Sequence, residues 1–337
     1  MKRRGLAIAV AVAPLMTVAL TGCGSKTPEA AAGDQALTVV ATTNVYGDIA
    51  RQIGGEHVEV NEIISSAAQD PHSYEPTAQD KLAISKADIV LANGGGYDQF
   101  MDSLVESLPN HDQLELIHAV DGSPVAVEDE HAEEPGHEGE SAEEHAAHAD
   151  EEHAAEDEGH EGHAHAGYNE HVWYDLESME LLGQKLAEKF SAEDTANAQS
   201  YEQNAQAFGK ELEALKQKLT ESGLKGKDFA MTEPVPYHLL TAAGMHDATV
   251  EGLSEAVEEG EDISPLVLKQ AEEDLASGKI AVLAYNVQTE GPETKKLRAA
   301  AEAAKVPVVE LTETITDDSS YLTWMGSNID KLVEAAG

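Results

Sequence analysis

Short apolar runs that alternate with amphipathic stretches, twice over, constrain this chain more than any other feature. In the first block, residues 37–42 read as a buried strand, 45–53 as a helix and 58–64 as a second strand. A helix closes at 81–85, and a third strand at 87–92 (ADIVLA) runs into Asn93-Gly94-Gly95-Gly96. A helix over 97–108 and a fourth strand at 114–119 complete the block. The second block repeats the order, with strands at 229–232, 280–286 and 306–312 and helices at 265–276, 292–305 and 321–336. Apolar strands separated by helices predict an α/β fold with mostly parallel sheets flanked by helices. Between the blocks, residues 176–222 are almost free of Pro and Gly. Within them, 192–222 predicts one long helix of about 45 Å at 1.5 Å per residue. The expected architecture is two lobes, each with a mostly parallel sheet, joined by one long rigid helix, with a cleft between the lobes. The N-terminal lobe is placed at 36–190, the linking helix at 191–223 and the C-terminal lobe at 224–337.

The N-terminus sets the compartment. Lys2, Arg3 and Arg4 precede a mostly apolar stretch over 6–20. That stretch is shorter than the roughly 20 residues a helix needs to cross a bilayer, so 1–22 read as a signal peptide. Leu20-Thr21-Gly22-Cys23 resembles the bacterial lipobox, and Cys23 is the only cysteine of 337 residues. Lipidation at Cys23 would supply the two acyl chains that stable anchoring requires, with 23–35 as a flexible tether. The expected location is the outer face of the cytoplasmic membrane. One cysteine permits no disulfide within the chain, so the mature protein must rely on its core.

A formal charge of −43 argues against a nucleic-acid partner, which needs a basic face, and suits attraction of cations. The charge is uneven: no Lys or Arg lies between Lys86 and Lys185. Inside that gap, 128–165 hold eight His and sixteen Asp or Glu among Ala and Gly, with no periodic apolar face. Such a segment cannot bury enough surface to offset its ordering entropy and is expected to be a disordered insertion. Its histidines, His131, His137, His145, His148, His153, His160, His163 and His165, are candidates for an accessory metal-collecting loop. With a reference pKa of about 6.5 they are largely neutral at pH 7 and able to coordinate, and capture should weaken as protons compete below neutrality.

Three candidate sites fall where strands end, the place where open α/β sheets bind ligands. Asp70-Pro71-His72-Ser73-Tyr74-Glu75-Pro76 follows the second strand, and its two prolines stiffen the loop around one imidazole. His171-Val172-Trp173-Tyr174-Asp175 follows the insertion, and Met231-Thr232-Glu233-Pro234 ends the first strand of the second block. These motifs, with the lipobox, ADIVLANGGGYDQFMDSL, the His-rich insertion, the long helix and the ending Ser320-Tyr321-Leu322-Thr323-Trp324-Met325, resemble the metal-binding lipoproteins of bacterial zinc and manganese ABC importers. The resemblance covers nearly all of the mature chain. It implies a metal held between two lobes, with His72 and His171 as the first two ligands. The third position matches Glu233, where zinc importers more often carry His, and His238 lies five positions on as a competitor. The fourth matches Glu313, in place of the family's usual Asp, with Asp317 and Asp318 close by.

Two imidazoles with carboxylates suit tetrahedral Zn2+, and carboxylate-rich sets also suit Mn2+. The His-rich insertion tilts the expectation toward zinc. The expected function is capture of a divalent transition metal by a monomer that delivers it to an ABC permease. The alternative is a manganese-specific importer receptor of the same fold, or an extracellular zinc buffer or adhesin. A metallohydrolase ranks below these; the chain contains no HExxH motif, GxSxG elbow or P-loop.

Overall fold

The computed structural model describes residues 36–66, 69, 71–126 and 168–337. The signal peptide, the tether with Cys23, and the insertion at 128–165 with its eight histidines lie outside the described residues.

The first sheet contains β1 (Leu37–Thr43), β2 (Val58–Ile64), β3 (Ile89–Ala92) and β4 (Glu115–His118) in the order β2-β1-β3-β4, all parallel. Helices α1 (Asn44–Gly54), α2 (Ala78–Ile84) and α3 (Gln99–Glu106) make its crossovers. The second sheet contains β5 (Asp228–Met231), β6 (His246–Asp247), β7 (Ile280–Asn286) and β8 (Val308–Leu311) in the order β6-β5-β7-β8, again parallel. Its helices are α6 (Tyr237–Ala242), α7 (Leu253–Glu258), α8 (Pro265–Ala276), α9 (Pro292–Ala304) and α10 (Tyr321–Ala336). The paired α/β layout matches the periodicity. Strand β1 is buried along Val39–Thr43, as a central strand covered on both faces must be. In each sheet the chain reverses direction beside its first strand, which opens a crevice at the carboxyl ends.

The stretch between the sheets is helical as expected, but the long helix has a later start. Instead of one helix over 191–223, α4 (Leu176–Glu193) ends at a tight turn and α5 (Ala198–Thr220) begins after it. The turn is Asp194-Thr195-Ala196-Asn197, and its side chains hydrogen-bond locally in competition with the helix. The Asp194 carboxylate accepts from Asn197 Nδ2 at 2.7 Å and from the Tyr201 hydroxyl at 2.8 Å. These bonds, led by that of Asn197, hold its pKa below the usual carboxylate value. The α5 helix is therefore 23 residues long, about 35 Å.

That helix packs against α4 and also against α1 of the first lobe and α10 of the second. One continuous hydrophobic core accordingly runs through both lobes, from Val39, Tyr46 and Ile89 through Trp173, Phe208 and Leu212 to Val282, Val309 and Met325. Polar ties reinforce it. Asn44 Nδ2 donates to the Ile315 carbonyl at 2.7 Å while Ile315 N donates to Asn44 Oδ1 at 3.1 Å. Tyr321 N donates to Asp48 Oδ2 at 2.6 Å. A core shared in this way resists hinge opening, because separating the lobes would expose apolar surface at roughly 25 cal/mol per Å².

Candidate metal cleft

Both sheets aim the carboxyl ends of their strands at a common cleft, and the candidate residues arrive there on the loops that follow them. His72 sits beyond β2 on a loop anchored by buried Pro71 and closed by the α2 capping box of Thr77 and Asp80. Its half-buried ring meets the Tyr97 ring edge-on, centroids 4.8 Å apart. Tyr97 is placed by the bend after β3, where Gly94 and Gly95 take φ of 79° and 69°. A Cβ on Gly95 would come within 3.1 Å of Glu170 Cβ and of the Tyr168 hydroxyl, which explains the need for glycine there. Buried Asp98 ties this bend to β1, accepting from Thr42 Oγ1, Asn93 N and Gly94 N at 2.6–2.8 Å; burial nevertheless raises its pKa.

His171 stands at the mouth of a 3-10 turn (Val172–Tyr174) that leads into α4 and is fully buried. Its Nδ1 pairs with Asn169 Oδ1 at 2.8 Å, and an amide oxygen accepts, so Nδ1 carries the proton. Nε2 is thereby left in the lone-pair form and directed into the cleft, the tautomer a metal ligand needs. Asn169 is itself fixed across the lobes: its Nδ2 donates to the Pro234 carbonyl at 2.8 Å, and its carbonyl accepts from His238 Nε2 at 2.9 Å.

Glu233 and Glu313 come from the second lobe and are each only 1% exposed. The amide of Asn286, at the end of β7, bridges them: Nδ2 donates to Glu313 Oε1 at 2.9 Å and to Glu233 Oε2. Thr289 Oγ1 also donates to Glu233 Oε2 at 2.5 Å, and the Tyr97 hydroxyl donates to Glu313 Oε2 at 3.1 Å. Donor atoms of His72, His171 and Glu313 lie within 4.8 Å of one another. Glu233 stands beside this trio through the Asn286 bridge. The four residues expected from sequence thus share one cleft.

The competitors do not reach it. His238 spends its Nε2 on the Asn169 carbonyl, and burial, its main influence, lowers its pKa. Asp317 and Asp318 are exposed, and Asp317 Oδ1 accepts from Ser319 N at 3.0 Å.

Glu258, at the end of α7, is a residue that sequence reasoning missed. Its Oε1 lies 3.6 Å from His171 Nε2, and its side chain is 10% exposed. Burial, followed by the charges of Glu170, Glu233, Glu313 and Glu255, pushes its pKa up to about 9. Nothing local marked it, since it belongs to the acidic stretch Glu258-Glu259-Gly260-Glu261-Asp262, which reads as solvated surface. Asn169 and Glu170, directly before His171, and Asn286, the last residue of a predicted strand, were missed because their roles depend on contacts distant in sequence. A cleft that gathers two imidazoles and several carboxylates without a compensating lysine or arginine among these contacts is unstable by itself and becomes favourable around a cation.

The fold recurs in solved metal-binding proteins. The Pseudomonas aeruginosa solute-binding protein FpvC, solved with Mn2+, matches with a TM-score of 0.67 at 22% identity, covering 90% of this chain and 98% of that one. A crystal structure of ZnuA matches with a TM-score of 0.68 at 19% identity, covering 90% and 100%. Two parallel-sheet lobes around a donor-lined cleft are thus a fold shared with these proteins. The family described as "Zinc-uptake complex component A periplasmic" matches residues 39–335, and the chain belongs to it. Among its relatives are the manganese ABC transporter substrate-binding lipoproteins PsaA of Streptococcus anginosus (24% identical) and scaA of Streptococcus gordonii (25% identical), each alignment covering 95% of both chains.

Proposed function

We propose that the cleft captures a divalent transition metal, zinc in preference to manganese, outside the cytoplasmic membrane and hands it to an ABC permease. The observation that carries this reading is the convergence of His72, His171 and Glu313 from three distant stretches of chain, with Glu233 beside them. Two imidazoles and two carboxylates are a complete set for a closed four-coordinate zinc site that leaves no position for a substrate. A hydrolase, by contrast, keeps one position open for water.

The ion is cargo, and the chain's own residues do three things to it. Asn169 holds His171 in the coordinating tautomer, Tyr97 and Asn286 orient the carboxylates, and the buried surroundings exclude water. The eight histidines of 128–165 raise the local metal concentration near the cleft through weak, multivalent encounters. Lipid on Cys23 keeps the monomeric receptor near its permease.

Manganese is the second reading. It is favoured by the carboxylates at the third and fourth positions and by the names of the streptococcal relatives. Zinc outranks manganese in intrinsic affinity for such donors, and the histidine tract favours it further. Metal analysis of untagged protein purified without chelators, with anomalous diffraction at the zinc edge, tests the choice. One zinc between His72 and His171 is expected. Manganese at that position overturns the zinc assignment, and no metal there overturns the site.

A further inference from the structure

The cleft contains more donors than one ion needs. Besides the trio of His72, His171 and Glu313, a second trio of His72, Glu170 and Glu258 also offers donor atoms within 4.8 Å of one another. The two trios share His72. Glu258 sets the second trio apart in depth: its side chain is 10% exposed, whereas His171, Glu313 and Glu170 are 0–2% exposed, and the shared His72 is half-buried. The shared imidazole and Glu258 thus form the edge of the cleft nearest to solvent.

Glu258 is also a buried acceptor with unused capacity. Its Oε1 accepts no hydrogen bond among the described residues, and His171 Nε2, at 3.6 Å, is beyond hydrogen-bond distance. A carboxyl nine-tenths withdrawn from water, with an oxygen that no donor meets and the carboxylate of Glu170 within reach, is a group that a cation bound between them would satisfy.

We propose that His72, Glu170 and Glu258 form a second divalent-cation position at the outer edge of the cleft, through which the ion passes to and from the inner site. This proposal rests on the metal-receptor reading above. The ion first exchanges waters for the Glu258 and Glu170 carboxylates, keeping His72 as it moves inward and trading those carboxylates for His171, Glu313 and Glu233. At no point is it stripped of all ligands, so the barrier to crossing from water to a dry site falls. The chain then governs how fast metal is loaded and surrendered as well as how tightly it is held. Because α7 carries Glu258, a permease that displaces this short helix would remove one outer ligand and favour release.

Cobalt(II), whose visible absorption reports its ligand set, tests the idea in chelator-stripped protein. His171→Ala weakens the inner site and should reveal a weaker cobalt position, which His171→Ala combined with Glu258→Gln weakens at least tenfold further. Identical cobalt binding by the two variants overturns the proposal. Because fully buried His171 is a risk to folding, stopped-flow loading of the single Glu258→Gln variant provides an independent measure. Loading slowed at least fivefold supports the outer position, and loading at the native rate refutes it. If the native protein takes up no stoichiometric cobalt or zinc, it is the metal-receptor reading that fails.

Discussion

Asn286 is the residue whose replacement tests the cleft's design most directly. Its amide nitrogen bridges Glu233 and Glu313, and its Oδ1 accepts from Gln288 N at 3.0 Å. Gln288 Oε1 in turn accepts from Glu313 N at 2.7 Å. Asn286→Ala removes both donations to the carboxylates and loosens the turn that carries Glu313. The backbone bond from Asn286 N to Thr232 Oγ1 at 3.0 Å survives, so β5 and β7 stay in register. Each lost bond to a charged acceptor is worth about 1.5–3 kcal/mol, so the metal-free protein should lose on the order of 2–4 kcal/mol after partial rehydration of the carboxylates. Groups that orient ligands typically contribute 10–100-fold to metal affinity, which at about 1.4 kcal/mol per decade is roughly 1.4–2.8 kcal/mol. Competition between chelator-stripped protein and a chromogenic chelator measures zinc affinity, and thermal unfolding with and without zinc measures stability. The expected result is zinc binding weakened by about one to two decades and a lowered metal-free Tm that zinc partly restores. Zinc affinity within threefold of native would refute the view that the amide bridge sets the carboxylate positions.

Three further outcomes are expected. Deleting 128–165 should leave one tight metal site by calorimetry while slowing uptake at scarce metal; loss of all tight binding would contradict the assignment of the site to the cleft. Gly95→Ala, at φ 69° and against Glu170 Cβ, should destabilise by about 1–2 kcal/mol in thermal melts, the cost of a left-handed alanine. His238 and His118 should tilt stability in opposite directions with pH. Burial lowers the His238 pKa, so the unfolded chain takes the proton first, and its contribution is lost as pH falls below about 6.5; His238→Gln should flatten that fall. The Asp102 carboxylate, hydrogen-bonded to His118 at 2.9 Å, raises the His118 pKa, so that contribution is present below about 6.5 and fades as pH rises through the raised value. His118→Gln should therefore cost more at pH 5.5 than at pH 8 in the same melts.

Much of this protein was legible in one dimension. Strand and helix periodicity is a local property, and β7, α8 and α10 fall at the residues it predicted. His72, His171, Glu233 and Glu313 could be named as candidates because each lies in a motif or near a strand end, and the structure brings all four to one cleft. The long helix is present as α5, but it starts at Ala198, six residues later than expected, because composition reports helix propensity, whereas the break at Asp194–Asn197 depends on side chains that cap and turn the chain. β6, two residues long, and the short helices α6 and α7 have too little length to show a period.

Only the tertiary structure decided how the donors meet. Glu258 lies 87 residues from His171 in sequence, yet its carboxylate is 3.6 Å from that imidazole. No local pattern encodes such a contact, because it is made by two sheets brought together over one shared core. Sequence by itself determined which side chains could bind a cation. The packing of the lobes determined which of them share a buried space, and burial is what makes their charges demand one.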